Sequence, residues 1–196
     1  MEENKQVEIF ELVIDDTEES GVDYIALVDH PAIESNWMAF SKQKQTFAIQ
    51  DEEKRIVSGY FMKADLPIIR LDEKGNEFYV VFRKETIKDI VFKFMQNGYN
   101  SNTNLMHDPR QLAEGVFMFE SLLIDSDRGI KAPDNFEDAP DGSWWGSMKV
   151  ENDEIWESVK NGEFRGFSVE GVFKQSRKAT QEQEIVEKIK DLLRDL

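Results

Sequence analysis

Apolar and polar positions alternate through the start of the chain, and that period-two pattern predicts strands. Val7 and Ile9, then Phe10, Leu12 and Ile14, carry the first, and after Glu18-Glu19-Ser20-Gly21 a second follows in Tyr24-Ile25-Ala26-Leu27-Val28. Asp29-His30-Pro31 ends it, because proline has no N–H to give to a ladder. Residues 41–54 are polar and weakly patterned and read as a linker or excursion. Strands are predicted again at 56–62 and 67–70, with a turn at Asp72-Glu73-Lys74-Gly75-Asn76. Phe78-Tyr79-Val80-Val81-Phe82 is apolar on both faces, as in a buried strand.

The period then changes. Ile87, Ile90, Val91 and Phe94 fall on one stripe, predicting a helix over 84–96 stopped by Asn97-Gly98. Strands are predicted at 105–107 and 115–125, separated by a turn that begins at Asp108-Pro109. Residues 125–142 hold six acids, two prolines and two glycines and read as a loop closed by Pro140-Asp141-Gly142. A strand follows over 143–150. Asn152 then caps a short helix that turns Ile155, Trp156 and Val159 inward, and a last strand covers 164–173. In the tail, Ile185, Val186, Ile189, Leu192, Leu193 and Leu196 share one helical face. The prediction is a mostly β (α+β) fold with covering helices. Residues 1–40 form N-terminal strands, 41–54 a linker, 55–174 the core and 175–196 a C-terminal amphipathic helix.

Composition narrows the function. The 196 residues carry 24 Lys+Arg against 40 Asp+Glu, a net charge of −16, which disfavours nucleic acid as a partner because phosphate binding needs clustered cations. With 40% hydrophobic residues, 14 Phe and 4 Trp, a packed core is expected all the same. Cysteine is absent, which removes thiol chemistry, disulfides and Cys-ligated zinc. No apolar run approaches the ~18 residues of a membrane span, and the opening MEENKQVEIF is acidic, so a cytosolic protein without membrane association is expected. Histidine occurs twice, as His30 and His107, too few for a zinc site. Asp125-Ser126-Asp127-Arg128-Gly129 lacks the later ligands of a calcium loop, and no phosphate- or dinucleotide-binding glycine motif occurs. Neither metal nor cofactor is expected.

The sharpest local feature is Gly166-Phe167-Ser168-Val169-Glu170-Gly171. Alternation sets Phe167, Val169 and Phe173 on one face and Ser168 and Glu170 on the other. The serine either presents its hydroxyl where a substrate backbone comes close or is a plain sheet serine beside a bulge. It is not a nucleophile elbow, since Val172 and Phe173 continue the strand instead of opening a helix. His107 ends a short strand, with a local bond to Asp108 as the simple reading. Glu120 interrupts the apolar run 116–124. Buried there it needs a partner, and an imidazolium from His107, 13 residues upstream, is one. An edge position open to water, or a bond to arginine or backbone, is the other. Trp144-Trp145 reads as core or dimer contact.

With these residues in view, the chain resembles the XkdF-like phage serine proteases, a branch of the prohead proteases related in fold to herpesvirus assemblins. The resemblance runs over about 55–174, through Pro67-Ile68-Ile69-Arg70, Phe78 to Phe82 with Lys84-Glu85-Thr86-Ile87, Asn104 with His107, and Glu120-Ser121. It continues through Gly142-Ser143-Trp144, Met148 to Glu154 and Gly162-Glu163-Phe164 to Gly166-Phe167-Ser168-Val169-Glu170-Gly171. Ala26 to Ile33 resembles a segment that other prohead proteases carry after the serine, as a permuted chain would. The resemblance implies an assemblin-like β-barrel, closed or partly open, and a serine endopeptidase with Ser168 as nucleophile and His107 as base. Glu120 is expected as third member, with Glu170 as the alternative, and backbone N–H groups or Arg165 as oxyanion donors. It implies scaffold and major capsid proteins as substrates, within the procapsid in the bacterial host's cytoplasm. A homodimer through the C-terminal helix or the Trp144-Trp145 region is a further expectation. A non-catalytic capsid-assembly scaffold or docking protein on the same fold is the second reading.

Overall fold

A computed structural model describes residues 9–17, 19–29, 47–71, 75, 77–134, 136 and 139–176. In chain order the elements are β1 (Ile9–Val13), β2 (Gly21–Val28), β3 (Phe47–Asp51), β4 (Ile56–Met62), β5 (Ile68–Leu71), β6 (Glu77–Phe82) and α1 (Lys84–Gln96). They continue with β7 (Thr103–Leu105), β8 (Asp108–Leu112), β9 (Val116–Leu123), β10 (Trp144–Val150), α2 (Asp153–Lys160), β11 (Gly166–Val172) and β12 (Lys174–Ser176). The strands form three four-stranded sheets, ordered β12-β1-β6-β5, β3-β4-β10-β9 and β11-β2-β7-β8.

The mostly β class expected from the sequence is present. No closed barrel forms among the described residues, so of the closed or partly open barrel expected, the closed form is corrected to three sheets. The reason lies at a corner where the ladder is handed from one sheet to another. β1 pairs antiparallel with β12 and β2 antiparallel with β11, so one two-stranded ribbon bends between two sheets, marked by a bridge from Ser20 to Val172. At this bend Lys93 of α1 donates to the carbonyls of Thr17 and Ser20, and Lys174 pairs with Asp15.

α1 follows its stripe: Ile87, Ile90, Val91 and Phe94 are buried. In α2, Asn152 Oδ1 accepts from the Ile155 N–H at 3.0 Å, satisfying one of the free amides of the first turn, and Ile155, Trp156 and Val159 are buried. The core is joined by an aromatic chain. Phe94 and Phe61 pack against Trp144 at 5.2 and 4.9 Å, and Phe61 and Phe47 pack against Phe167 at 4.8 and 5.3 Å. A Cβ at Gly146 would lie 2.6 Å from the Phe61 ring, so glycine is what admits that ring. Trp145 is buried in a satellite cluster with Tyr60 and Ile124. Both indoles of the Trp144-Trp145 pair are thus inside the chain, and the dimer contact expected through them finds no exposed ring.

Three local readings change. β3 lies within 41–54, where only Phe47 is buried and the alternation is too faint to mark a strand. Asp108-Pro109 opens β8 instead of a turn, and the turn is Met106-His107. Of the amphipathic helix expected over 175–196, Gln175 and Ser176 belong instead to β12, paired with Leu12 and Glu11, while 177–196 lie outside the described residues, as does His30.

Candidate active site

Register explains how distant residues meet. Ser168 on β11 pairs with Ala26 on β2, and Ala26 pairs in parallel with Asn104 on β7. Paired residues on adjacent strands share a face, so Ser168, Ala26 and Asn104 form one row, and Glu170 follows Ser168 on the same face by the pleat. All three members of the row are buried.

His107 reaches this face from a two-residue hairpin turn. Leu105 pairs with Asp108 across Met106 and His107, whose φ angles are 55° and 59°. Two consecutive left-handed residues match the twist of a tight hairpin, but glycine or asparagine ordinarily fill them. Neither is present here, so no turn signal stood in the sequence. The backbone holds an unfavourable conformation at the histidine itself.

The imidazole does not bond Asp108. Arg110 and Gln111 take that carboxylate, Arg110 Nε donating to Oδ1 at 2.9 Å, and these bonds hold its pKa well below the ordinary carboxylate value. His107 Nδ1 instead lies 3.2 Å from Glu170 Oε2, which also accepts from Asn104 Nδ2 at 2.9 Å. A carboxylate only accepts, so Nδ1 carries a proton, and in the neutral ring this leaves the lone pair on Nε2. That is the tautomer a general base requires.

Glu120 is placed elsewhere. It sits exposed on β9, an edge of the β3-β4-β10-β9 sheet, and accepts from Ser147 Oγ at 2.5 Å. It is not brought to His107. The run 116–124 looked apolar on both faces, yet Phe119 is exposed beside it, so the edge position open to water is the one realised. Ser168 Oγ makes no hydrogen bond among the described residues. Arg165 donates from Nε to the Gly162 carbonyl, while its own carbonyl accepts from the Phe47 amide and its amide donates to Val28.

A cavity of about 290 Å³ runs beside β11, with Ser168, Val169, Glu170 and Gly171 in its wall. Apolar side chains such as Phe61 and Phe82 make up most of the rest, with Lys63 and Arg70 as its cations. Nothing in the sequence marked this space or the role of Asn104. Among the described residues, no group of three or more histidine, aspartate or glutamate side chains converges as metal ligands would, and no helix is long and apolar enough to cross a membrane.

The family described as "Putative phage serine protease XkdF" matches residues 43–177. The chain belongs to that family. The XkdF family match covers β3 through β12, and with them Asn104, His107, Ser168 and Glu170. It leaves out β1 and β2, so Ala26 and the strand between Ser168 and His107 come from outside the matched span. No curated protein and no solved structure matches the chain.

Proposed function

We propose that the chain is a serine endopeptidase in which Ser168 is the nucleophile, His107 the general base and Glu170 the group that orients it. The observation that carries this reading is the 3.2 Å contact of His107 Nδ1 with Glu170 Oε2, on the face that also holds Ser168. A serine hydroxyl is a weak nucleophile at neutral pH. His107 Nε2 takes its proton as Oγ attacks the peptide carbonyl carbon, and then gives that proton to the leaving amine as the C–N bond breaks. Water hydrolyses the resulting ester by the same route in reverse, with Glu170 stabilising the imidazolium at each stage. Glu170 takes this role ahead of Glu120, which is spent on Ser147.

The substrates would be scaffold and major capsid proteins, cut within the assembling procapsid. Membership of a phage protease family and the resemblance to prohead proteases support this. A C-terminal amphipathic helix within 177–196 would dimerise the enzyme or tether it to scaffold, raising its effective concentration in the shell.

The test is intact mass after fluorophosphonate treatment, with co-expressed scaffold and capsid proteins assayed for cleavage. One adduct on the wild type, absent from Ser168→Ala and His107→Ala, and specific fragments lost in both variants, are the expected results. Cleavage retained by either purified variant overturns the assignment. A second reading, a non-catalytic assembly protein on this fold, draws on Ser168 being only 5% exposed and without a hydrogen bond. It predicts no adduct in the free chain or in assembled particles.

A further inference from the structure

We propose that Asn104 is a positioning residue that fixes Glu170 for His107. This rests on the reading of Ser168, His107 and Glu170 given above. Asn104 is wholly buried, and its Nδ2 donates to Glu170 Oε2, the same oxygen that faces His107 Nδ1. The amide can face only one way, because its oxygen turned toward the carboxylate would set acceptor against acceptor. The other end has no compensation: Asn104 Oδ1 is buried and has no hydrogen-bond partner among the described residues. A buried acceptor without a partner is unfavourable, so an asparagine chosen for packing alone would be better replaced by an apolar side chain.

What the amide supplies is direction. Glu170 is on β11, at the free edge of its sheet among the described residues, and its carboxylate is about one-third exposed, so the side chain has rotamers open to it. His107 is on the far side of β2, carried by the β7–β8 turn. Asn104 is on β7, three residues before the histidine and rigidly paired to Ala26. It therefore ties the carboxylate of β11 to the strand that carries the imidazole. Without it Glu170 is free to swing into solvent, and the ring loses the acceptor that holds its tautomer.

The test uses the full chain, ¹⁵N-labelled, as wild type, Asn104→Ala, Asn104→Asp, Glu170→Gln and the double variant Asn104→Ala/Glu170→Gln. Two readouts are taken: the rate at which a fluorophosphonate modifies Ser168, and the His107 Nδ1–H resonance, identified by its loss in His107→Gln. Asn104→Ala and Asn104→Asp should move or broaden that resonance and slow modification by on the order of 10²-fold. On the Glu170→Gln background, Asn104→Ala should slow it no further, because its effect passes through that carboxylate. Equal slowing on both backgrounds, or a resonance and rate like the wild type's, overturns the proposal. If Asn104→Ala fails to fold, the near-isosteric Asn104→Asp decides. If the wild type takes no adduct, the protease reading fails and the resonance alone decides: moved by Asn104→Asp, the positioning role stands; unmoved, it falls.

Discussion

Two rows of side chains cross this molecule, each with serine and glutamate in reach of one another, and they are built to opposite ends. In the β4-β10-β9 row, Ser58, Ser147 and Glu120 are register partners. Ser147 donates to Glu120 at 2.5 Å, so the 2.7 Å bond between Ser58 and Ser147 has Ser58 as its donor. Every hydroxyl proton is committed. In the β11-β2-β7 row, Ser168 has no hydrogen bond among the described residues, an alanine stands in the middle, and the neighbouring carboxylate of Glu170 meets a histidine and an asparagine. A glutamate near a serine thus has two uses in this fold: in one row it accepts the serine's proton, and in the other it faces an imidazole and leaves the serine hydroxyl without a hydrogen bond among the described residues.

The largest test of that contrast exchanges one carboxylate for an amide in each row. Glu170→Gln should slow Ser168 modification and peptide cleavage by roughly 10²- to 10⁴-fold, because an amide has no charge to stabilise the imidazolium and can present its NH₂ as well as its oxygen to Nδ1. Glu120→Gln keeps an acceptor for Ser147 and should change either rate less than twofold. Equal losses in the two variants would erase the distinction. Next in size is Ser147→Ala, which leaves the wholly buried Ser58 hydroxyl without its acceptor and should cost about 1–3 kcal/mol in denaturant unfolding. Its rate of Ser168 modification should stay that of the wild type.

Much of this was legible in the sequence, and the exceptions share a cause. α1 and the capped α2 were readable because their signals are local: a 3.6-residue stripe, and an asparagine three residues before the amide it accepts from. Ser168 and Glu170 were placed on one face by alternation alone. Their partners were not, because the row depends on which strand β2 lies between. His107 and Glu170 are 63 residues apart, whereas Glu120 is only 13 from the histidine, so nearness along the chain pointed to a carboxylate that the fold places on another sheet. The hairpin was hidden for a different reason. Its turn uses Met106 and His107 in a conformation that neither residue favours, and Pro109 sits in the strand that follows.

That turn gives a smaller prediction. Met106 is 47% exposed and adds little packing, so Met106→Asn should relieve the left-handed backbone and stabilise the fold by about 0.5–1 kcal/mol. Thermal unfolding would report it, and a lowered midpoint would count against the turn as described. The smallest effect is at the bent ribbon, where Lys174, with Thr17, holds the Asp15 carboxyl well below its ordinary 3.8. A lowered folded value contributes stability that is complete well above pH 3.8 and is lost as the pH falls through the lowered value. Asp15→Asn should flatten that acid limb in pH-dependent unfolding and lower neutral stability by the same amount, a small one because solvent screens the pair.

The bent ribbon also sets an order of events during synthesis. β2, β7 and β8 leave the ribosome well before β11, and β2 stays without its second neighbour until residues 166–172 exist. Serine and glutamate thus arrive together, on the strand that fills this place, opposite a histidine already mounted on its hairpin. A polypeptide interrupted before that strand carries His107 and Asn104 but neither Ser168 nor the carboxylate that both of them meet. Under the mechanism proposed above, such truncated products are inert.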